Sequence, residues 1–554
     1  MIRRCTFARL LAAGLALAPA VGQDVRKSLV IAVDGLRPDA IAPADAPYLD
    51  SLIASGAFSL DAQCEDLTFS GPNHSTILHG VHRDRHNVTT NDYSNNHLAD
   101  WPDYLSLLEE FDPGLHTIRV HTWDAAHYSQ PTSADLALFY DYIADGDERA
   151  TQDVVRILRG THPTVTLDPD ALFIFLSDVD VAGHTYGFDP SSAGYLAEIA
   201  NTDGQIGRML EALEHRPDYL NENWQIVITS DHGGSPDGSH GGGTPEKRRI
   251  PFIVAGPTVP PGVVYPQPKN VDVARTVLAH MQATVDPVRQ LDGHAVGVAP
   301  TGPTPARFQQ NLIFNGDGEY DRGFSDWLPD QHISGWDDPG PSGMTLIRYD
   351  SPGGWPALSD PGPPERDSNF FCAGSMGDAT IVQDIDLAPL APSIDAGWAT
   401  YRLSAYLGGY LTQRDQASVR VRFRSASGGE LASVIIGPVT PAERGNQTAL
   451  LPRSASAAVP PGTRRATVEL RSQRFDGSAT DGYADNIEFT VMRTGCLADL
   501  DRNHRVELTD LATLLTNFGR AGDATYEQGE LDGDGSVTLS DLSSLLARFG
   551  VVCE

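Results

Sequence analysis

The sequence predicts an α/β domain on a mostly parallel sheet over residues 24–300, then a β-sandwich and a small helical repeat. Three observations predict this. The runs "SLVIAVDG", "ALFIFLSDVD" and "WQIVITSDHGG" are apolar throughout and end in acids. Strands of that kind are covered on both faces, as in a parallel sheet between helix layers. Helical patterns such as "YLAEIANTDGQIGRMLEALEH" alternate with these runs, the order expected of α/β units. Beyond residue 309 the pattern shifts to short alternating segments, among them "ASVRVRFRSA" and "RATVELRSQ", separated by Gly, Pro and Asp turns.

Taken from the N-terminus, residues 1–22 read as a signal peptide. Arg3, Arg4 and Arg9 precede an apolar stretch from Leu10 to Val21, and Ala20 and Gly22 suit cleavage. The expected location is therefore secreted or cell-surface, with an uncleaved anchor as the alternative. The stretch is short for a membrane span, and no later run qualifies. With 73 acidic against 40 basic residues and a net charge of −33, attraction to nucleic acid by bulk charge is excluded. Solubility or adaptation to salt accounts for most of that acidity. A Pro-rich linker is expected at 301–308, a β-sandwich at 309–493 and a third unit at 495–554. Cys5 lies in the leader, and the cysteine spacing fits no zinc knuckle. Cys496 and Cys553 bracket the third unit and are expected to form a disulfide, whereas the pairing of Cys64 and Cys372 is open.

The three apolar strands deliver Asp34, Asp178 or Asp180, and Asp231 at their C-terminal ends, where open α/β sheets gather ligands. One such acid is commonly a helix cap; three beside glycine or histidine point to a site. Asp180 and His184 are four apart, Asp231 and His232 are adjacent, and His240 follows in the glycine-rich "GSHGGG". Imidazole with carboxylate suits Zn²⁺ better than Ca²⁺. These six residues suffice for two ions. In "DLTFSGPNHSTILHG", Pro72 suits the first helical position, which puts Ser70 at a helix N-terminus. A serine there is often only an N-cap. Beside two metals it becomes a nucleophile, because coordination lowers the pKa of the hydroxyl.

On these residues the chain resembles the alkaline phosphatase superfamily over nearly all of residues 27–297, most closely its type I phosphodiesterase/nucleotide pyrophosphatase branch. "VDGLRPD" matches V-D-G-x-R, Ser70 stands two residues before P-N-H, "DVAGH" matches D-x-x-G-H and "SDHGG" matches S-D-H-G. The resemblance implies an alkaline-phosphatase-like three-layer sandwich. It implies one zinc on Asp180, His184 and His240, and a second on Asp34, Asp231, His232 and the Ser70 oxygen. Asn91 would bond a phosphoryl oxygen, and a phosphoseryl intermediate would form and be hydrolysed. Two Zn²⁺ against three aspartates and a serine alkoxide leave the site near neutral. The chain departs from the branch in two places. Threonine is the usual nucleophile, so Thr68 is the fallback, and Gly71 replaces an aromatic that stacks on a base, with Trp123, Tyr93 or Tyr186 as substitutes. "SGPNH" lacks the arginine of the sulfatase signature, and the spacing leaves little room for the inserted domain of the mutase branch.

The ends of the middle segment, "NLIFNGDGEYDRGFSDW" and "DGYADNIEFTV", resemble jelly-roll carbohydrate-binding modules. That likeness implies a glycan partner and a calcium held by Glu319 and Asp485; a spacer is the plain alternative. The third unit repeats at an offset of 31, with loops starting at Asp499 and Glu530. Positions one, three, five, nine and twelve follow calcium-loop spacing: Asp499, Asp501, Asn503, Glu507 and Asp510, then Glu530, Asp532, Asp534, Thr538 and Asp541. His504 stands where the first loop would carry glycine. The repeat is similar to a type I dockerin, a small α-helical calcium-loop domain whose partner would be cohesin-like. The expected function is a two-metal phosphoric ester hydrolase. A phosphomonoesterase, for which Arg83 and Arg85 offer an extra cation, and a phosphonate hydrolase on the same scaffold remain open. A catalytically inactive surface binding protein is the alternative of another class, and the complete ligand set argues against it.

Overall fold

The computed structural model describes residues 25–298, 303–326, 332–340, 343–493, 497–501, 503–522, 524–532 and 534–552. The signal-peptide reading and the Cys496–Cys553 disulfide fall outside them, as does the start of the linker.

Eight strands form the first sheet: β1 (Val25–Val33), β2 (Ala57–Gln63), β3 (Thr117–His121), β4 (Leu136–Phe139), β5 (Ala171–Leu176), β6 (Glu222–Thr229), β7 (Arg249–Ala255) and β8 (Gly262–Val263). Their order is β4-β3-β5-β1-β6-β7-β2-β8. The sheet is mostly parallel, as expected, except that β7 runs antiparallel to both β6 and β2. β1 shows why its sequence reads as unbroken apolar residues. Leu29, Ile31 and Val33 enter one core with Ile199, Ile206 and Met209 of the Ala193–Glu214 helix. Val30 and Ala32 enter the opposite core with Ile77 and Leu78 of the Ser70–His79 helix and Val273 and Val277 of the Asp272–His280 helix. Successive side chains point to opposite faces, so a strand covered twice cannot alternate with polar residues.

Register aligns the site. Val33 pairs with Leu176, and Ala32 pairs with Thr229. The residues that follow β1, β5 and β6 therefore leave the sheet at one edge.

The middle segment forms two antiparallel sheets. One holds β9 (Thr345–Arg348), β10 (Asn369–Cys372), β12 (Ala399–Gly409), β15 (Ala449–Ala458) and β17 (Gly482–Arg493). The other holds β11 (Asp378–Asp386), β13 (Gln416–Arg424), β14 (Glu430–Ile436) and β16 (Arg465–Gln473). Burial alternates along the whole of β13, so Val419, Val421 and Phe423 enter the shared core. In the last segment the helices Leu508–Thr516 and Leu539–Leu546 close a small core of Val506, Leu514, Val537 and Leu545. His504 has φ +66° and Gly535, at the same loop position, φ +76°. The first loop thus makes the same sharp turn with a histidine, at the cost of a left-handed backbone that L side chains resist.

Cys64 is a buried free thiol, so it does not pair with the buried Cys372. Among the described residues no helix is long and apolar enough to cross a membrane.

Candidate metal centre

Two groups of ligand-type side chains meet where β1, β5 and β6 end. Asp180 and His184 lie one turn apart on the Asp178–Tyr186 helix, with Nε2 of His184 3.3 Å from Oδ2 of Asp180. His240, from the glycine-rich loop, brings its Nε2 to 3.1 Å from that of His184 and 3.8 Å from Oδ1 of Asp180. In the second group Nε2 of His232 is 3.3 Å from Oδ1 of Asp34 and 3.6 Å from Oδ2 of Asp231. Within each group the ligand atoms lie within 4.8 Å of one another. The rings of His232 and His240 stack with centroids 3.9 Å apart, which joins the groups into one site.

Hydrogen bonds set the tautomers. Nδ1 of His184 faces the Gly238 carbonyl at 2.8 Å, Nδ1 of His240 that of Thr68 at 2.7 Å, and Nδ1 of His232 that of Gly233 at 2.8 Å. A carbonyl only accepts, so each Nδ1 carries a proton and Nε2 is the ring atom each histidine turns toward the carboxylates. Oδ1 of Asp34, Oδ1 of Asp180 and Oδ2 of Asp231 are buried without a hydrogen-bond donor. Nitrogen lone pairs and anionic oxygens so close repel one another unless a proton, as between His184 and Asp180, or a metal ion stands between them. Three nitrogens and three carboxylates in two groups are a donor set that Zn²⁺ or a similar divalent ion fits.

The side chains alone show the strain of that arrangement. Burial raises Asp34 well above the carboxylate range, and the charges of Asp231 and Asp180 add to it. Burial, then Asp180, pushes Asp231 up to about 7. The hydrogen bond with Asp180 lifts His184 to about 9. Burial holds His240 down at about 4. Asp180 is itself buried, yet the His184 bond and the nearby imidazoles keep it below its ordinary value.

Ser70 opens the Ser70–His79 helix, two residues before the start that Pro72 implied. Its Oγ is 3.2 Å from Nε2 of His232. The fallback Thr68 is engaged elsewhere: its hydroxyl donates to the Gly242 carbonyl at 2.9 Å and accepts the Gly241 N–H at 2.8 Å. Together with its carbonyl on His240, Thr68 clamps the glycine loop. The Gly71 N–H donates to Oδ1 of Asn91 at 2.8 Å. The Asn91 amide NH₂ has no hydrogen-bond partner among the described residues. A Cβ on residue 71 would stand 2.7 Å from the Thr90 carbonyl oxygen, which explains why a glycine replaces the aromatic.

Four supporting residues were not among the candidates, although Arg37 and Asn73 stand inside the V-D-G-x-R and P-N-H motifs. Asn73 pins the segment before Ser70, donating to the carbonyls of Leu67 (2.8 Å) and Phe69 (3.0 Å) and accepting the Glu65 N–H (2.7 Å). The Asp147 carboxylate, fully buried, accepts the N–H groups of Ser177 (3.0 Å) and Asp178 (2.9 Å) and so caps the helix that presents Asp180 and His184. Arg37 joins the carbonyls of Phe188 (2.8 Å) and Gly234 (2.9 Å). Arg248 reaches from the Gly243 carbonyl to the sandwich. Of the strand-end alternatives, Asp180 joins the metal group and Asp178 does not; burial and Asp147 push Asp178 up to about 7. Arg83 pairs with Asp66 at 3.1 Å and Arg85 with Asp292 at 2.9 Å, so both are already bound to acids. Tyr93 is buried, its hydroxyl bonded to Gln130 at 2.9 Å, and cannot stack on a base. Trp123 packs on Tyr93 and Phe175, whereas Tyr186 is exposed.

In the tail, Asp499, Asp501 and Asp510 converge, as do Glu530, Asp532 and Asp541. The other loop residues make local bonds. The Asn503 amide donates to Asp501 (3.0 Å) and Glu507 (3.1 Å), and Asp534 accepts the Ser536 N–H at 2.7 Å. Glu507 and Thr538 form capping boxes with Asp510 and Asp541. In the sandwich, Glu319 accepts the N–H groups of Ser368 (2.8 Å) and Asn369 (2.6 Å), and Asp485 accepts the Tyr349 hydroxyl at 2.7 Å. Neither acid belongs to a group of three converging acids or histidines among the described residues.

Known proteins align with this part of the chain. GPI ethanolamine phosphate transferase 1 of Neurospora crassa is 30% identical over 242 residues, covering 40% of this chain and 23% of that protein. Bis(5'-adenosyl)-triphosphatase ENPP4 of Homo sapiens is 23% identical over 224 residues, covering 37% of this chain and 47% of that one. The chain thus spans about a quarter of the length of the transferases it matches. The solved murine ectonucleotide pyrophosphatase/phosphodiesterase 5 is 15% identical with a TM-score of 0.38, covering 48% of this chain and 99% of that one. The expectation of a secreted or cell-surface location is corrected here: the first relatives are GPI ethanolamine phosphate transferases, not secreted proteins. Residues 28–239, which hold Ser70 and every candidate metal ligand except His240, match the family model described as Type I phosphodiesterase / nucleotide pyrophosphatase.

Proposed function

We propose that residues 24–300 form a two-metal phosphoric ester hydrolase, phosphodiesterase/nucleotide pyrophosphatase-like, with Ser70 as nucleophile. The observation that carries this reading is the pairing of two Asp/His groups with one buried hydroxyl 3.2 Å from a ligand imidazole. Asp180, His184 and His240 would hold one ion, and Asp34, Asp231, His232 and the Ser70 oxygen the other. Zinc is the metal their nitrogen and oxygen donors favour. When bound, the pair supplies Lewis acidity and lowers the pKa of the attacking hydroxyl. Ser70 gives up its proton to solvent, and its Oγ bonds to phosphorus as the ester P–O bond breaks and the leaving oxygen departs with a solvent proton; water then attacks phosphorus, breaking the Oγ–P bond and returning a proton to Oγ. The Asn91 amide offers N–H groups to a phosphoryl oxygen, and the helix N-terminus at Ser70 favours the anion.

The test is turnover of bis-p-nitrophenyl phosphate against p-nitrophenyl phosphate at matched metal load, for the parent and Ser70→Ala. Diester turnover that disappears in the variant supports the reading. Turnover at the parental rate in Ser70→Ala removes Ser70 as nucleophile. Absence of turnover at full metal occupancy favours the inactive binding protein.

A phosphotransferase is the second reading, and the 30% identical ethanolamine phosphate transferase favours it. An alcohol would then replace water as acceptor, and the ratio of the new diester to the hydrolysed monoester in an added alcohol separates the two. The division into a sandwich at 309–493 and a repeat at 495–554 belongs to the same proposal, as do calcium in the tail loops, a glycan partner for the sandwich and a cohesin-like partner for the tail.

A further inference from the structure

A cleft of about 490 Å³ lies between the first sheet domain and the β-sandwich, lined by Arg85, Arg275, Arg322 and Arg348. Four guanidinium groups around one cavity run against the trend of a chain with net charge −33. Three acids line it too, and each is engaged. Asp292 binds Arg322 at 2.6 Å, Arg85 at 2.9 Å and the His82 N–H at 2.8 Å. Asp321 pairs with Lys269 and accepts from Asn315 (3.1 Å) and Ser334 (2.8 Å). Glu319 accepts the two backbone N–H groups described above.

Two of the arginines differ from the others. Arg275, on the Asp272–His280 helix, and Arg348, at the end of β9, make no side-chain hydrogen bond or ion pair among the described residues. Arg275 is carried by the first sheet domain and Arg348, an exposed residue, by the sandwich. Arg85 is held below its ordinary value by burial first, with Arg322 and Arg348 repelling it against the pull of Asp292 and Asp84. An anion in the cleft would relieve that repulsion and give the two free forks acceptors.

We infer that this cleft binds a small organic anion, of mono- to disaccharide size, carrying at least two sulfate, phosphate or carboxylate groups. The volume lies in the range of small-molecule sites, and Gln290 and Ser368 add neutral polar groups to the lining. Two charges are required because two of the lining guanidinium groups, one from each side of the domain boundary, lack partners among the described residues.

The experiment is isothermal titration of the full chain, metal-loaded, with a disulfated disaccharide, a bisphosphorylated sugar and a dicarboxylated sugar, each against its uncharged parent. The proteins are the parent, Ser70→Ala and Arg275→Gln/Arg348→Gln, with Arg348→Gln alone as the variant least able to disturb folding. Saturable binding of at least one anion is expected, equal in Ser70→Ala, at least tenfold weaker in the double variant, weakened in Arg348→Gln and absent with the uncharged parent. Which probe binds identifies the acid group. No binding by any probe, binding unchanged in both arginine variants, or binding lost in Ser70→Ala would overturn the inference; the last would place the anion at the metal centre.

Discussion

Ser70 and Thr68 are hydroxyls two residues apart, and their partners separate them. Thr68 uses both its donor and its acceptor on the glycine loop, whereas Ser70 has its Oγ 3.2 Å from His232. Ser70→Ala should lower diester turnover by about 10³-fold or more while metal content stays near that of the parent, measured by steady-state kinetics beside metal analysis. Gly71 gives a second prediction. Its missing Cβ would meet the Thr90 carbonyl at 2.7 Å, so Gly71→Ala must displace the segment that carries Asn91. A displacement of that order near the reacting centre should cost about 10²-fold in kcat with little change in metal affinity. An unchanged kcat would mean that Asn91 takes no part.

At the scale of elements, the loop carrying His240 is tied within itself from Ser235 to Ser239, and Thr68 holds Gly241 and Gly242 from outside. Thr68→Val removes the hydroxyl that bonds Gly241 and Gly242. It should weaken one metal site, that of Asp180, His184 and His240, by about 10–100-fold, read by titration against a chelator, while the other site holds its ion. The segments around the Ser70–His79 helix are tied by the Glu65–His82 pair, 2.7 Å apart and buried. Burial raises Glu65, but His82's charge and hydrogen bond outweigh it and hold Glu65 at about 2. That contribution is present above the usual carboxylate range and fades as pH falls toward 2. His82 is raised above 6.5 by Glu65 in spite of burial, so its contribution is full below 6.5 and is lost as pH rises through the folded value. Glu65→Gln should therefore destabilise most near about pH 5–6, by about 3 kcal/mol, and least at alkaline pH, measured by urea unfolding across pH. A flat difference would show that the pair is not ionised.

For the whole molecule, charged side chains fasten the sandwich to the first domain. Lys269 pairs with Asp321, both buried, and Arg248 donates from Nη2 to the Asp338 carbonyl (2.7 Å), from Nη1 to the carbonyls of Gly340 (3.1 Å) and Gly243, and from Nε to Gln63. Lys269→Met leaves a buried carboxylate unpaired and should cost about 3–5 kcal/mol, with part of the loss recovered on adding Asp321→Asn. Because Arg248 holds the carbonyl of Gly243, three residues from His240, the sandwich also braces the metal loop.

Local sequence was enough for the strands and for the Asp and His residues that converge in two groups at their ends. An apolar run ending in Asp must be a covered strand that delivers its acid at the sheet edge, and the i,i+4 spacing of Asp180 and His184 puts both on one helix face. The convergence of three acids in each tail loop follows for the same reason, since their spacing is a property of a single loop. Long-range packing settled the rest. Ser70 differs from Thr68, and Asp180 from Asp178, only in contacts across the fold, such as Ser70 with His232 and Asp180 with His240, and Asn73, Asp147, Arg37 and Arg248 act through backbone carbonyls or N–H groups that their place in the sequence does not reveal. Short-range stereochemistry is written in neighbouring residues, whereas the partner of a hydrogen bond across the fold exists only once the chain has closed on itself.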